Sequence, residues 1–240
     1  MKKLLNVLRF SMKPLAGLFV VALVFSACKK NDVENVRTPA AGVMAFNLAP
    51  DKSAVGYTLS GNQFGNAALN YTNFTGAYLP VFSGNREVRS FDFNTGSTIA
   101  LANGNFADSM YYSVFLLGAN GAYRNVVVND ELDSLAAGTG KAWVRYINAI
   151  PDSVSAAPVV TIGENTVNET AAYATVSSFK QVNAGAVNTG ITNGTNIVAS
   201  RSITLEQNKI YTVLFVGIPA STDSAKAVQV KFIQNGTIAP

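Results

Sequence analysis

Asp51 and Asp152 are the residues whose chemistry would matter most if they met, because glycoside hydrolysis needs two carboxylates at a set separation. Each follows a proline in matching surroundings, Pro50-Asp51 and Pro151-Asp152, so their context favours one tight turn built twice. Asn129, Asp130, Glu131 and Asp133 crowd together oxygen ligands that Ca2+ would accept. They lack the Asp-x-Asp-x-Asp-Gly order of an EF-hand, and an acidic connector is the plainer explanation. Between Asn70 and Tyr78, Tyr71, Asn73 and Tyr78 combine aromatic faces with an amide, the mixture a sugar-binding surface needs; core aromatics beside turn-forming asparagines are the alternative. Ser109, Ser134, Ser153 and Ser224 each follow an aspartate and precede an apolar residue, which makes them candidate modification sites or simply turn residues. Histidine is absent and cysteine occurs once. That removes Ser-His-Asp and Cys-His catalysis, the commonest zinc sites and internal disulfides together. No acid, base and nucleophile can be named as a set, so neither an enzymatic activity nor a cofactor is expected.

The single cysteine, Cys28, ends a signal-like segment. Lys2, Lys3, Arg9 and Lys13 form a basic start, and Leu15 to Phe25 an apolar stretch of 11 residues. That is the length of a signal-peptide core and short of the ~20 residues a spanning helix needs. Phe25-Ser26-Ala27-Cys28 resembles a bacterial lipobox, which implies cleavage after residue 27 and a lipid on Cys28. The bilayer is therefore an expected partner, with several acyl chains giving stable anchoring. Residues 28–41 are polar and read as a tether reaching roughly 20 Å. Its charged start resembles the surface-export signal of Bacteroidota lipoproteins, which implies outer-membrane display, with a periplasm-facing position as the alternative. The Asp-Ser-apolar pattern likewise resembles an O-glycosylation sequon of exported proteins in that group. All four basic residues of the signal-like segment are lost on cleavage, leaving 14 basic against 14 acidic side chains. A neutral mature chain offers nothing to a nucleic acid.

The remaining chain is rich in Val, Thr, Asn, Gly and aromatic residues, with turn formers between short apolar runs, and predicts an all-β fold. It also repeats itself. Val43 to Asp51 matches Val144 to Asp152, and Phe106 to Gly118 matches Leu205 to Gly217, at nearly one spacing. A duplicated unit of about one hundred residues follows. The expected organisation is a signal peptide (1–27), a tether (28–41), a first unit (42–133), a connector (134–140) and a second unit (141–240). Five strands are recognisable in each unit, and Asp130 to Gly140 reads as the hinge.

The Asn-x-x-Pro-Asp turn, the closing Tyr-(Ser/Thr)-Val strand that ends in Gly, and the acidic Asn129-Asp130-Glu131-Leu132-Asp133 lead resemble the domain of unknown function family 4397. That resemblance implies two tandem immunoglobulin-like or transthyretin-like β-sandwiches and no established activity. The expected function is non-catalytic binding of an extracellular glycan or envelope protein. The alternatives are an assembly or adhesion subunit using an exposed strand edge, and, further off, a glycan-acting enzyme.

Overall fold

The computed structural model describes residues 37–151, 156–164 and 166–239, so the signal-like segment, Cys28, Asp152 and Ser153 lie outside the described residues. The first half contains β1 (Ala40–Asn47), β2 (Val55–Leu59), β3 (Asn62–Leu69), β4 (Leu79–Phe82), β5 (Gly84–Asp92), β6 (Thr98–Phe106), β7 (Tyr111–Ala119) and β8 (Ala122–Asn129). The second contains β9 (Lys141–Asn148), β10 (Val159–Ile162), β11 (Val167–Thr170), β12 (Lys180–Asn183), β13 (Gly185–Thr192), β14 (Val198–Leu205), β15 (Lys209–Val216) and β16 (Gln229–Thr237). Among the described residues each half thus has eight strands, three more than its apolar runs reveal; the additional ones are mostly short or polar.

The strands form four sheets: I (β4-β1-β7-β8), II (β3-β2-β5-β6), III (β12-β9-β15-β16) and IV (β11-β10-β13-β14). Adding eight to each label converts the first half into the second, so the duplication holds at the level of topology. In both halves the first strand runs parallel to the seventh, with Val43 beside Tyr112 and Val144 beside Tyr211. All other pairings are antiparallel.

Sheets I and II enclose one core around Val43, Val55, Tyr57 and Val114. Sheets III and IV enclose another around Val144, Val160, Ile191 and Val213. A third apolar layer joins the halves: Met44, Phe46, Phe115 and Leu117 of sheet I meet Ile147, Leu214, Val216 and Ile233 of sheet III. The molecule is two β-sandwiches stacked in the order II, I, III, IV. Strands β1, β7, β9 and β15 are therefore covered on both faces, which is why apolar residues dominate both of their faces, broken only by Ser113, Arg145 and Thr212 in their interiors.

The repeated motif is explained by equivalent bonds. Asn47 donates its side-chain amide to the Leu69 carbonyl (3.0 Å), and Asn148 donates to Ala171 (2.9 Å). Each asparagine also accepts from a backbone N–H two residues on. The motif tyrosines reach back five residues, Tyr112 accepting from the Ala107 N–H and Tyr211 from that of Glu206, in the manner of a tyrosine corner. Gly118 (φ 116°) and Gly217 (φ 120°) end the motif, where a Cβ would strike the carbonyl oxygens of Ala122 and Ala227.

Candidate functional site

Two features built by this architecture have the chemistry of a site. The first is a buried polar ring between sheets I and III. Arg145, on the interface face of β9, donates from Nη1 to Asp130 Oδ1 (2.6 Å), from Nη2 to Ser113 Oγ (2.7 Å) and from Nε to Thr212 Oγ1 (3.0 Å). Ser113 and Tyr78 each donate a hydroxyl to Asp130 Oδ2, at 2.8 and 2.5 Å. Thr212 donates to Asn235 Oδ1 (2.6 Å), and the Asn235 amide closes the ring on Tyr78 Oη (3.4 Å). The Asp130 and Arg145 side chains are 0% and 1% exposed, so the pair is admissible only because further hydrogen bonds surround it. Burial, and then the Asp130 carboxylate, push the Tyr78 hydroxyl above the ordinary tyrosine range.

The ring is quasi-symmetric. Ser113 and Thr212 are the second residues of the two Tyr-(Ser/Thr)-Val motifs, and each directly precedes a motif valine. Asp130 and Asn235 each follow the partner of a motif tyrosine, Asn129 opposite Tyr112 and Gln234 opposite Tyr211. Tyr78 and Phe179 precede the edge strands β4 and β12. Symmetry breaks at Arg145, whose counterpart is Met44.

The second feature is the outer face of sheet IV. Its pairing places Thr161, Gly190 and Ser200 in one row across β10, β13 and β14, with Asn188 beside Ser202 and Ala186 beside Thr204 in the following rows. Thr170, Val159, Thr192 and Val198 form the opposite margin. No outward position of these four strands bears a charge. Glu169 and Arg201 lie on the opposite face and stay in contact with solvent, the first bonded to Tyr146 and Lys180, the second standing over Phe232 at the sheet edge. Gly190 leaves a trough between Thr161 and Ser200. An open cleft of about 840 Å3 adjoins it, bordered by Gly163 and Glu164 on one side and Asn183 and Ala184 on the other.

Asp51 accepts from the Asn120 N–H and the Tyr123 hydroxyl, so it fastens the β7–β8 hairpin turn. Tyr71, Asn73 and Tyr78 do not share an exposed surface: Tyr71 and Tyr78 pack against the layer between the sandwiches, and Asn73 is exposed. Burial raises the Tyr71 hydroxyl above its ordinary pKa. Asp130 leaves the acidic group to pair with Arg145, while Glu131 and Asp133 are exposed. Among the described residues no three His, Cys, Asp or Glu side chains are placed to hold a metal ion. The stretch expected as a hinge thus begins with a residue locked between the sandwiches and contains a short 3-10 turn, Leu132–Ser134. Ser109, Ser134 and Ser224 are all exposed.

Sequence reasoning passed over Arg145 and the outer face of sheet IV. The face was signalled by the alternation in Gly185 to Thr192, where every outward residue is small or polar and uncharged. The ring carried no local signal, since its members lie up to 157 residues apart.

The family of DUF4397, a domain of unknown function, matches residues 41–154 and 142–237. The chain belongs to this family, in two tandem copies. No curated protein matches the chain.

Proposed function

We propose that this tandem member of the DUF4397 family is a membrane-anchored lipoprotein that binds a neutral glycan outside the cytoplasm, without acting on it. The anchor is a lipid on Cys28, supported by the signal-like segment that ends there, and the display is at the outer membrane, supported by the charged start of the tether after it. The observation that carries the binding reading is the outer face of sheet IV. It offers hydroxyl and amide groups in rows, separated by the ~4.8 Å strand spacing, with no charged outward strand residue to desolvate and Glu164 only at the border of the adjoining cleft. A polysaccharide presents hydroxyls at similar intervals and equally lacks charge. Exposed serines 109, 134 and 224 are accessible for O-glycosylation.

Affinity electrophoresis through gels containing neutral polysaccharides tests the reading. Retardation should occur with at least one polymer and be abolished by Thr161→Lys or Ser200→Lys, which put a cation in the trough. Unretarded migration in every gel, or lysine variants retarded like wild type, would end it. Palmitate labelling of wild type against Cys28→Ala tests the anchor separately.

One observation favours a second reading, an envelope assembly subunit. Strand β4 is a sheet edge and leaves Phe82 64% exposed, a place where a strand from another protein could add. A stable protein partner recovered by cross-linking at position 82 would favour it.

A further inference from the structure

The two halves are equivalent in topology, yet they treat one spot at their junction differently. In the first half, Gly42 stands on the interface face of β1, and the Tyr111 ring fills the space above it, 2.7 Å from where a Cβ would be. Tyr78 packs edge-on against the same ring, with centroids 5.1 Å apart. In the second half Trp143 occupies the place of Gly42, and Ile210, opposite it, that of Tyr111. There the junction is open: Trp143, Phe179 and the end of β8 enclose a pocket of about 280 Å3.

The walls of this pocket are fixed from behind. The Trp143 indole donates its N–H to the Ala136 carbonyl (2.9 Å), which leaves stacking as the contact it can offer. The Arg145 guanidinium lies 4.5 Å from the Phe179 ring centroid and holds that ring in place. Asp130 and Arg145, already satisfied by each other, form an electroneutral floor. Around the rim stand Asn129, Ser134 and Ser178, with the exposed Glu131 in a left-handed backbone conformation (φ 47°). The Glu131 N–H is bonded to Asn129 Oδ1 and its carbonyl accepts from Ser134 Oγ, which leaves the Asn129 side-chain NH2 and the Ser178 hydroxyl for a ligand. Two aromatic rings, hydroxyl and amide groups and a neutral floor, with one carboxylate, Glu131, at the rim, at the boundary of two domains, are the makings of a small-ligand site.

We propose that this pocket binds a single pyranose ring, the end residue of a glycan, stacked on Trp143 and hydrogen-bonded at the rim. Its volume, about 280 Å3, is on the scale of one hexose, and its open side leaves room for the rest of a glycan to extend into solvent. The site shares a ligand class with the proposed function but not a location: the outer face of sheet IV would take the middle of a polymer, and the junction pocket its terminus.

Trp143 is the sole tryptophan, so its emission reports directly on the pocket. The purified protein is titrated with the common neutral hexoses, deoxyhexoses, pentoses and N-acetylated aminohexoses, and with tetramethylammonium as a competing chemistry. At least one sugar should change the emission saturably, in about the millimolar range, and protect it from iodide quenching. Ser178→Arg, an exposed substitution that fills the rim, and Phe179→Ala should each weaken binding at least about tenfold. Thr161→Lys should leave it intact, so retardation in polysaccharide gels and the Trp143 signal can fail independently. Emission indifferent to every sugar, a response to tetramethylammonium alone, or a sugar response unaffected by Ser178→Arg would each overturn the proposal.

Discussion

Arg145→Met should destabilise the protein severely, and Asp130→Asn should rescue it. Methionine is the residue that the first half places at the same position, Met44, so the substitution suits the strand and the apolar layer around it. What it removes is the counter-ion of a carboxylate with no exposed side-chain surface, and donors to Ser113 and Thr212. Breaking one side of a buried pair costs about 3–5 kcal/mol, which for a unit of this size lowers Tm by roughly 10 °C. Asp130→Asn alone should cost a similar amount, because it leaves the guanidinium uncompensated. In the double variant both charges are gone. The amide introduced at position 130 can then accept from Ser113 as Asn235 accepts from Thr212 in the other half, so the double variant should be more stable than either single one. Urea unfolding followed by Trp143 emission and far-ultraviolet circular dichroism measures all four corners of the cycle. A cost for Arg145→Met below about 1 kcal/mol, or a double variant as unstable as the sum of the singles, would refute the view that the pair stabilises the junction by mutual neutralisation.

Alkaline stability should follow the buried tyrosines. Burial raises Tyr57, Tyr71 and Tyr78 above the ordinary value of 10.0, so the folded state holds their protons more tightly than the unfolded one. Their contribution is complete below about pH 10 and declines as pH rises beyond it; absorbance near 295 nm should show these phenols ionising together with unfolding, and ionisation in a still-folded protein would contradict the assignment. Gly118→Ala and Gly217→Ala should each cost about 2 kcal/mol or more, since a Cβ meets a carbonyl oxygen at 2.0 and 2.3 Å on a backbone only glycine adopts readily. Thermal melts of both variants within a degree of wild type would show that those hairpin turns can relax.

The sequence alone determined the β class, the duplication and the motif positions, because these are written in local chemistry. Apolar runs specify strands, the first Asn-x-x-Pro-Asp, Asn47 to Asp51, forms its turn within a few residues, and Gly118 and Gly217 answer to backbone geometry at their own positions. The apolar residues on both faces of β1, β7, β9 and β15 marked them as strands, and the structure shows both of those faces covered. Only the tertiary structure decided what covers them. Apolar burial is non-directional, so a run of Phe and Leu asks for a partner without naming it, and here the partner is the other half of the chain. The same holds for the polar residues: an aspartate in an acidic stretch and a tyrosine in an aromatic one gave no sign of meeting Arg145 and Asn235, because a hydrogen bond depends on where the folded chain brings two groups and not on their separation along it.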